Sequence, residues 1–388
     1  MAKPTGALCN LECRYCYFLA KKALYPGSRF RMSARVAESY IRQLLAANRH
    51  ESEIVIAWQG GEPTIIGLEF FRRAIELERR YARPGQRILN TLQTNGTLLD
   101  DEWCGFLAAH EFLVGISIDG PRGLHDAYRV GKGGRPTFDR VLRGLQRLRR
   151  HGVDWNVLAT VHAANGDSGR SVYRFLRDEL DARFIQFIPI VERSAGQGDL
   201  AVSERSVRPE QFGMFLIDVF EEWVRRDVGV VYVQAFDTAL AHWVGLPGGL
   251  CVHEETCGSQ AVLEHTGDLY SCDHYVEPRF LLGNIEQVDM GELMRSAAQL
   301  RFGAAKRDAL TQYCRDCPVR FACNGGCPKD RFVRSPQGEA GHSYLCRGYE
   351  AFFAHIDGPM TRMAAMISVG RAPADIMREL GAPRAAEL

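Results

Sequence analysis

Cys9, Cys13 and Cys16 lie in one short stretch with the spacing C-x3-C-x2-C. Three thiolates this close can wrap three corners of a cubane iron–sulfur cluster and leave the fourth iron without a protein ligand. An open coordination position is where a metal does chemistry. A structural zinc site closes with four ligands, and no histidine or fourth cysteine stands near this loop. A disulfide would leave one of the three cysteines over. The rest of the chain must be able to present this loop.

Composition narrows the setting. The chain of 388 residues carries 48 Lys plus Arg against 47 Asp plus Glu, a net charge of +1. That balance predicts no nucleic-acid partner and no membrane partner. Residues 1–6 lack the apolar core of a signal peptide, and no segment is long enough to span a bilayer. The expectation is a cytoplasmic protein, in which cysteines serve metals more often than disulfides. Eleven of the twelve cysteines fall in two groups, at 9–16 and 251–346. Cys104 stands apart in the helix-like run 100–109 and reads as a small buried hydrophobe.

The first two-thirds of the chain alternates strand and helix patterns. Strands are expected at 53–58, 87–93, 112–118, 154–161 and 183–189, each short, apolar and β-branched. Helices are expected at 33–47, 68–81, 100–109, 137–151 and 168–180, with Asp100 as an N-cap or first-turn acid. Such alternation predicts a parallel α/β barrel or part of one, with function at the C-terminal strand ends. A first strand must precede the cysteine loop, yet only eight residues precede Cys9. The strand is therefore very short, or the chain begins upstream of Met1.

Strand ends carry turn-forming residues: Gly60-Gly61-Glu62-Pro63, Thr94-Asn95-Gly96, Asp119-Gly120-Pro121 and Pro189. Each alone is ordinary turn chemistry. Their recurrence at one end of successive strands suggests a ligand site, and two adjacent glycines let a ligand touch the backbone. After Pro189 the alternation decays into a polar loop at 192–206. Pro209 then opens a core-facing helix to about residue 226.

From Gly248 eight cysteines follow: Cys251, Cys257, Cys272, Cys314, Cys317, Cys323, Cys327 and Cys346. Eight cysteines are enough for two four-cysteine sites, which on spacing alone could be zinc ribbons or clusters. Short strands at 261–264 and 269–271 suggest a metal-stapled region too small to fold on its core alone. A closing helix is expected from 347 to about 369, with a peripheral tail past Pro373.

Several motifs together resemble radical S-adenosylmethionine enzymes with a SPASM domain, and specifically the anaerobic sulfatase-maturating enzymes. They are Lys3-Pro4, Cys9-Asn10-Leu11, Gln59-Gly60-Gly61-Glu62-Pro63, Gln93-Thr94-Asn95-Gly96-Thr97, Ser117-Ile118-Asp119-Gly120-Pro121, Cys272-Asp273-His274-Tyr275-Val276 and Leu282-Gly283-Asn284-Ile285. The resemblance covers residue 3 to about 353. It implies an α/β fold, a partial (β/α)6 radical SAM barrel over 1–230, a SPASM region over 231–353, and a C-terminal helix and tail over 354–388. It also implies three [4Fe–4S] clusters and S-adenosylmethionine. Cys9, Cys13 and Cys16 would hold the catalytic cluster. Cys251, Cys257, Cys272 and Cys327 would hold a first auxiliary cluster, and Cys314, Cys317, Cys323 and Cys346 a second. Tyr15, Gly60, Gly61, Glu62, Ser117, Arg129 and Val191 would contact the cofactor, and Asp273 would be the general base. Tyr17-Phe18 stands where family members often read Phe-Tyr, which implies a missing or shifted hydroxyl near the substrate.

The implied reaction oxidises Cys or Ser in a sulfatase Cys/Ser-x-Pro-x-Arg segment to Cα-formylglycine. The implied partners are an unfolded sulfatase polypeptide or peptide and a flavodoxin- or ferredoxin-like reductant. The alternative is a maturase of the same superfamily that installs thioether or carbon–carbon links. Such enzymes often carry an N-terminal leader-binding domain, for which this chain has no room before Cys9. A zinc-binding scaffold without activity is the alternative of a different class. The three-plus-four-plus-four arrangement predicts about twelve irons per chain after anaerobic reconstitution. Iron, sulfide and zinc analysis checks this; zinc in the C-terminal sites would contradict it.

Overall fold

The structure is a computed structural model and describes residues 1–194 and 202–381. The chain folds as two compact units. The first comprises Met1–Ile118, His125–Asn156 and Cys257–Ala305, and the second Asp119–Leu124, Val157–Thr256 and Lys306–Leu388.

The first unit holds strands β1 (Glu53–Trp58), β2 (Arg87–Thr94) and β3 (Leu113–Ser117), side by side and parallel. Helices Ala34–Ala47, Leu68–Tyr81, Asp101–Ala109 and Phe138–Arg150 connect or flank them. The helix starts follow their caps: Ser33 Oγ accepts from the Val36 amide, and Asp100 Oδ1 from the Trp103 amide at 2.8 Å. Trp58, fully buried at the end of β1, packs on Tyr40, Phe70 and Phe71. Its indole N–H donates to Asn90 at 2.8 Å, and Asn90 donates to Glu78. This buried polar chain ties the end of β1 to β2 and to the helix Leu68–Tyr81. Cys104 is fully buried, as a small hydrophobe would be.

The expected first strand shrinks to one residue. Ala2 bridges in parallel to Trp58, through Ala2 N–H to Ala57 O (2.8 Å) and Gln59 N–H to Ala2 O (2.9 Å), and to Leu263, through Lys3 N–H to Leu263 O (2.8 Å) and Leu263 N–H to Met1 O (2.9 Å). The same unit contains the antiparallel strands Val262–Leu263, Asp268–Tyr270 and Leu281–Asn284. A small core of Ala7, Phe18, Val262, Tyr270 and Val276 packs the cysteine loop against them.

The second unit carries most of β4 (Trp155–Val161), with β5 (Phe184–Pro189) and β6 (Tyr232–Val233) parallel beside it. β6 has only two residues, too short for an alternation pattern to show. Part of the expected loop at 192–206 lies outside the described residues. The helix Pro209–Arg226 opens on its proline and buries Phe212, Phe215, Leu216, Val219, Phe220 and Val224. It packs against the closing helix Cys346–Ser368, which starts at a cysteine of the second group.

The described part of the tail, to residue 381, is not peripheral. Ile376, in Ile376–Gly381, is fully buried, and that short helix also packs on Pro209–Arg226. Ile376 and Leu380 stand one helical turn apart, but a helix of six residues is too short for that spacing to show as a pattern. Ile376→Ala should lower stability by about 2–4 kcal/mol, as for other large-to-small core changes. Denaturant unfolding checks it, and an unchanged midpoint would place the tail back at the periphery.

Candidate active site

The cysteine loop rests on the turn that follows β1. Gly61 N–H donates to Gly6 O at 2.7 Å, and Glu62 N–H to Leu8 O at 2.8 Å. The approach is so close that a Cβ on Gly61 would lie 2.1 Å from Leu8 O. Gly61 is therefore required by backbone contact with the loop, beyond any contact with a ligand. Glu62 is buried, and its carboxylate is committed to the protein. Oε1 accepts from Thr64 N–H, Thr64 Oγ1 and Thr94 Oγ1, and Oε2 accepts from Asn95 N–H at 2.8 Å. Its side chain pins the ends of β1 and β2 together, and its backbone is committed as well: the N–H donates to Leu8 O and the carbonyl accepts from Thr5 Oγ1 at 3.2 Å. Glu62 therefore serves the cofactor contact the resemblance implied by holding the turn.

Asn95 was legible only as part of a turn motif. Its side-chain amide donates to Asn10 Oδ1 at 2.9 Å and to Cys9 Sγ at 3.7 Å. Thr97 completes the brace, accepting from Asn10 Nδ2 and donating to Asn95 Oδ1. Cys9 Sγ also accepts from the Leu11 amide at 3.3 Å. Burial, then the nearby Glu62 charge, pushes the Cys9 thiol up to about 12. A thiol so placed becomes a thiolate only against a strong positive centre, which is what a bound iron supplies.

On the other flank, Leu11 bridges antiparallel to Gly131, and the amides of Glu12 and Arg14 donate to Val130 O and Tyr128 O. This pairing brings Arg129, 8% exposed, to 5.6 Å from the Tyr15 ring. Ser117 ends β3 and accepts from Gln93 Nε2, at the end of β2, at 3.1 Å. The first unit thus gathers Tyr15, Gly60, Gly61, Glu62, Ser117 and Arg129 around the loop or at the strand ends. Val191 follows β5 in the second unit.

Asp273 is gripped at both oxygens. Lys3 Nζ lies 2.6 Å from Oδ1, and Tyr17 donates to Oδ2 at 2.6 Å. Lys3 is buried, with its ammonium 3.7 Å from the centre of the Phe18 ring. The Tyr17-Phe18 order thereby gains a physical account: the tyrosine hydroxyl meets the acid, and the phenylalanine carries the lysine. Burial opposes ionisation of Asp273. The Lys3 charge, His274 and the two hydrogen bonds outweigh it and hold the carboxyl at about 2. Lys3 appeared in the sequence only as part of a motif, because its partner is 270 residues away.

The C-terminal cysteines divide between the units: Cys257 and Cys272 lie in the first, the other six in the second. Cys314, Cys317, Cys323 and Cys346 line one cavity. Among the described residues no group of three or more His, Cys, Asp or Glu side chains closes around a single metal ion. Four thiols around one cavity suit the four corners of a four-iron cubane.

Comparison with known proteins settles the family. The Radical SAM superfamily matches residues 4–176, and the iron–sulfur cluster-binding SPASM domain matches 251–318. A serine-type anaerobic sulfatase-maturating enzyme of Bacteroides thetaiotaomicron is 43% identical over 98% of this chain and 94% of its own. The chain belongs to the anaerobic sulfatase-maturating enzymes. A cysteine-type relative from Clostridium perfringens is 31% identical over 92% of this chain and 95% of its own. The solved structure of native anSMEcpe with bound AdoMet and Kp18Cys peptide superposes with a TM-score of 0.84 at 30% identity. It covers 94% of this chain and 98% of that one. Membership makes this protein a radical SAM oxidoreductase of α/β fold, with [4Fe–4S] clusters and S-adenosylmethionine as cofactors. No helix among the described residues is long and apolar enough to cross a membrane.

The loop geometry predicts a selective lesion. Gly61→Ala forces a carbon into Leu8 O and should displace the cysteine loop while sparing the C-terminal sites. Iron should fall from about twelve to about eight per chain, with S-adenosylmethionine cleavage lost. Full iron with normal cleavage would show that the contact can relax.

Proposed function

We infer that this anaerobic sulfatase-maturating enzyme oxidises Cβ of a Ser or Cys in a sulfatase segment to Cα-formylglycine, with Asp273 as the base. The observation that carries the reading is the carboxylate of Asp273, fixed beside Cys272 and oriented from both sides by Lys3 and Tyr17. Relatives of both the serine type and the cysteine type align over most of the chain.

The ligand sets in this reading are Cys9, Cys13 and Cys16 for the catalytic cluster, then Cys251, Cys257, Cys272 and Cys327, then Cys314, Cys317, Cys323 and Cys346. When bound, the clusters and S-adenosylmethionine supply the radical that removes a hydrogen atom from Cβ and the path for the second electron. The protein's own groups bind, orient and move the proton. Arg129 and Ser117 suit the carboxylate of the methionine moiety, and the Gly60-Gly61 turn offers backbone to its amine. Asp273 is ionised at neutral pH, and its two oxygens differ in how accessible their partners are. Lys3 is buried, whereas Tyr17 is 42% exposed. The substrate hydroxyl or thiol therefore replaces the Tyr17 hydroxyl at Oδ2, while Lys3 stays on Oδ1. The physiological partners are an unfolded sulfatase segment and a low-potential flavodoxin- or ferredoxin-like reductant, working in the cytoplasm.

Asp273→Asn keeps shape and removes basicity. Iron content and S-adenosylmethionine cleavage should persist, while formylglycine formation falls about 10²-fold or more. Both products are quantified from one reaction, run with Ser-x-Pro-x-Arg and Cys-x-Pro-x-Arg peptides. A parallel loss of both products would make Asp273 a structural residue, and loss of neither would move the role of base elsewhere.

A further inference from the structure

Thr311 caps the short helix Gln312–Arg315, and its Oγ1 accepts from the Cys314 amide at 3.4 Å. The cap fixes the backbone of Cys314, while its sulfur is met by a different element. His342 lies on the strand Ala340–Ser343, paired with Val333 of the antiparallel strand Arg331–Arg334. Its Nδ1 stands 3.6 Å from Cys314 Sγ and 3.2 Å from Thr311 Oγ1. Sulfur is larger than oxygen, so both separations are hydrogen bonds.

The ring is held where it is. His342 is buried, and Tyr313 packs edge-to-face on it with centroids 5.3 Å apart. Tyr313 is fixed in turn by its hydroxyl, which meets Glu350 Oε1 at 3.2 Å and Oε2 at 3.1 Å. Thr311, Tyr313, Cys314, His342 and Glu350 all belong to the second unit.

The place of the imidazole proton follows from these neighbours. A cysteine that ligates iron is a thiolate, which accepts hydrogen bonds and donates none. A bare Nδ1 would turn its lone pair on that negative sulfur. With the proton on Nδ1, the N–H faces two acceptors, the thiolate and the second lone pair of Thr311 Oγ1. The arrangement therefore selects the Nδ1–H form once Cys314 is a thiolate.

An electron added to an iron–sulfur cluster increases the negative charge on its sulfur ligands. A donor on one of those sulfurs stabilises the reduced form. We propose that His342 is a positioning residue for electron transfer, raising the reduction potential of the second auxiliary cluster by donating Nδ1–H to Cys314 Sγ. This rests on the ligand sets given above, in which Cys314, Cys317, Cys323 and Cys346 hold that cluster. These four cysteines line one cavity of the second unit.

The test uses the full chain, reconstituted anaerobically, with iron analysis and potentiometric EPR titration of every cluster. His342→Leu removes the donor and should keep about twelve irons per chain. Its second auxiliary cluster should shift to a more negative potential, with the other two unmoved. His342→Asn places an amide N–H where Nδ1 stood and should reverse most of that shift. Full iron with an unshifted potential in His342→Leu overturns the proposal. An equal shift in both variants also overturns it, because the effect would then come from packing. The unsubstituted enzyme supplies a check that needs no variant. Made with isotopically labelled histidine nitrogen, it should show a nitrogen coupling in pulsed EPR of the reduced second auxiliary cluster, and absence of that coupling overturns the proposal. Failure of the ligand assignment looks different: Cys314→Ala would then keep all its iron and an unaltered second auxiliary signal.

Discussion

The contact between Gly61 and the carbonyl of Leu8 is the constraint on which the site depends. Two backbone segments meet with no room for a single carbon, and two amides cross between them. That contact fixes the cysteine loop on the end of β1. Glu62 then ties the same turn to the end of β2, and Asn95 reaches from β2 to Cys9 and Asn10. A flexible loop of three thiols would pay heavily in entropy to wrap a cluster. Here the protein has arranged the loop in advance, with hydrogen bonds that need no metal.

The second consequence of this packing is the placement of Asp273. Because Ala2 bridges both Trp58 and Leu263, the first residues of the chain are held between β1 and the antiparallel strands. Lys3 follows at once and meets the acid that follows Cys272. In the proposed assignment Cys272, the cluster ligand, and Asp273, the base, are neighbours, so one element would position both ligand and base. Its low carboxyl pKa makes it a weak base held in one orientation. Geometry, more than basicity, is what such a group contributes.

Much of this was legible beforehand. Helices with a polar cap and a periodic apolar face, such as Ala34–Ala47 and Asp101–Ala109, announced themselves, as did five strands of five residues or more. The cysteine spacing pointed to its chemistry because few metal sites use three thiolates in one loop. What was hidden is what depends on distance along the chain or on very short elements. The one-residue bridge at Ala2, the two-residue β6 and the six-residue helix that buries Ile376 are too short for a pattern to show. Lys3 and Tyr17 read as a motif fragment and a departure from a family habit. Only folding shows that they grip the same carboxylate, more than 250 residues away in sequence. Glu62 was read as part of a ligand-binding turn, and its four hydrogen-bond donors, supplied by Thr64, Thr94 and Asn95, became visible only in three dimensions.

The central claim is that this scaffold brings a substrate Cβ to the cofactor and its proton to Asp273. The most direct measurement follows the hydrogen itself. A Ser-x-Pro-x-Arg or Cys-x-Pro-x-Arg peptide, deuterated at Cβ, is incubated anaerobically with the reconstituted enzyme and unlabelled S-adenosylmethionine. Mass spectrometry then reads 5′-deoxyadenosine and peptide together. The account predicts 5′-deoxyadenosine heavier by one deuterium, in step with formylglycine that retains the other. Unlabelled 5′-deoxyadenosine beside a peptide that keeps both deuterons would contradict it.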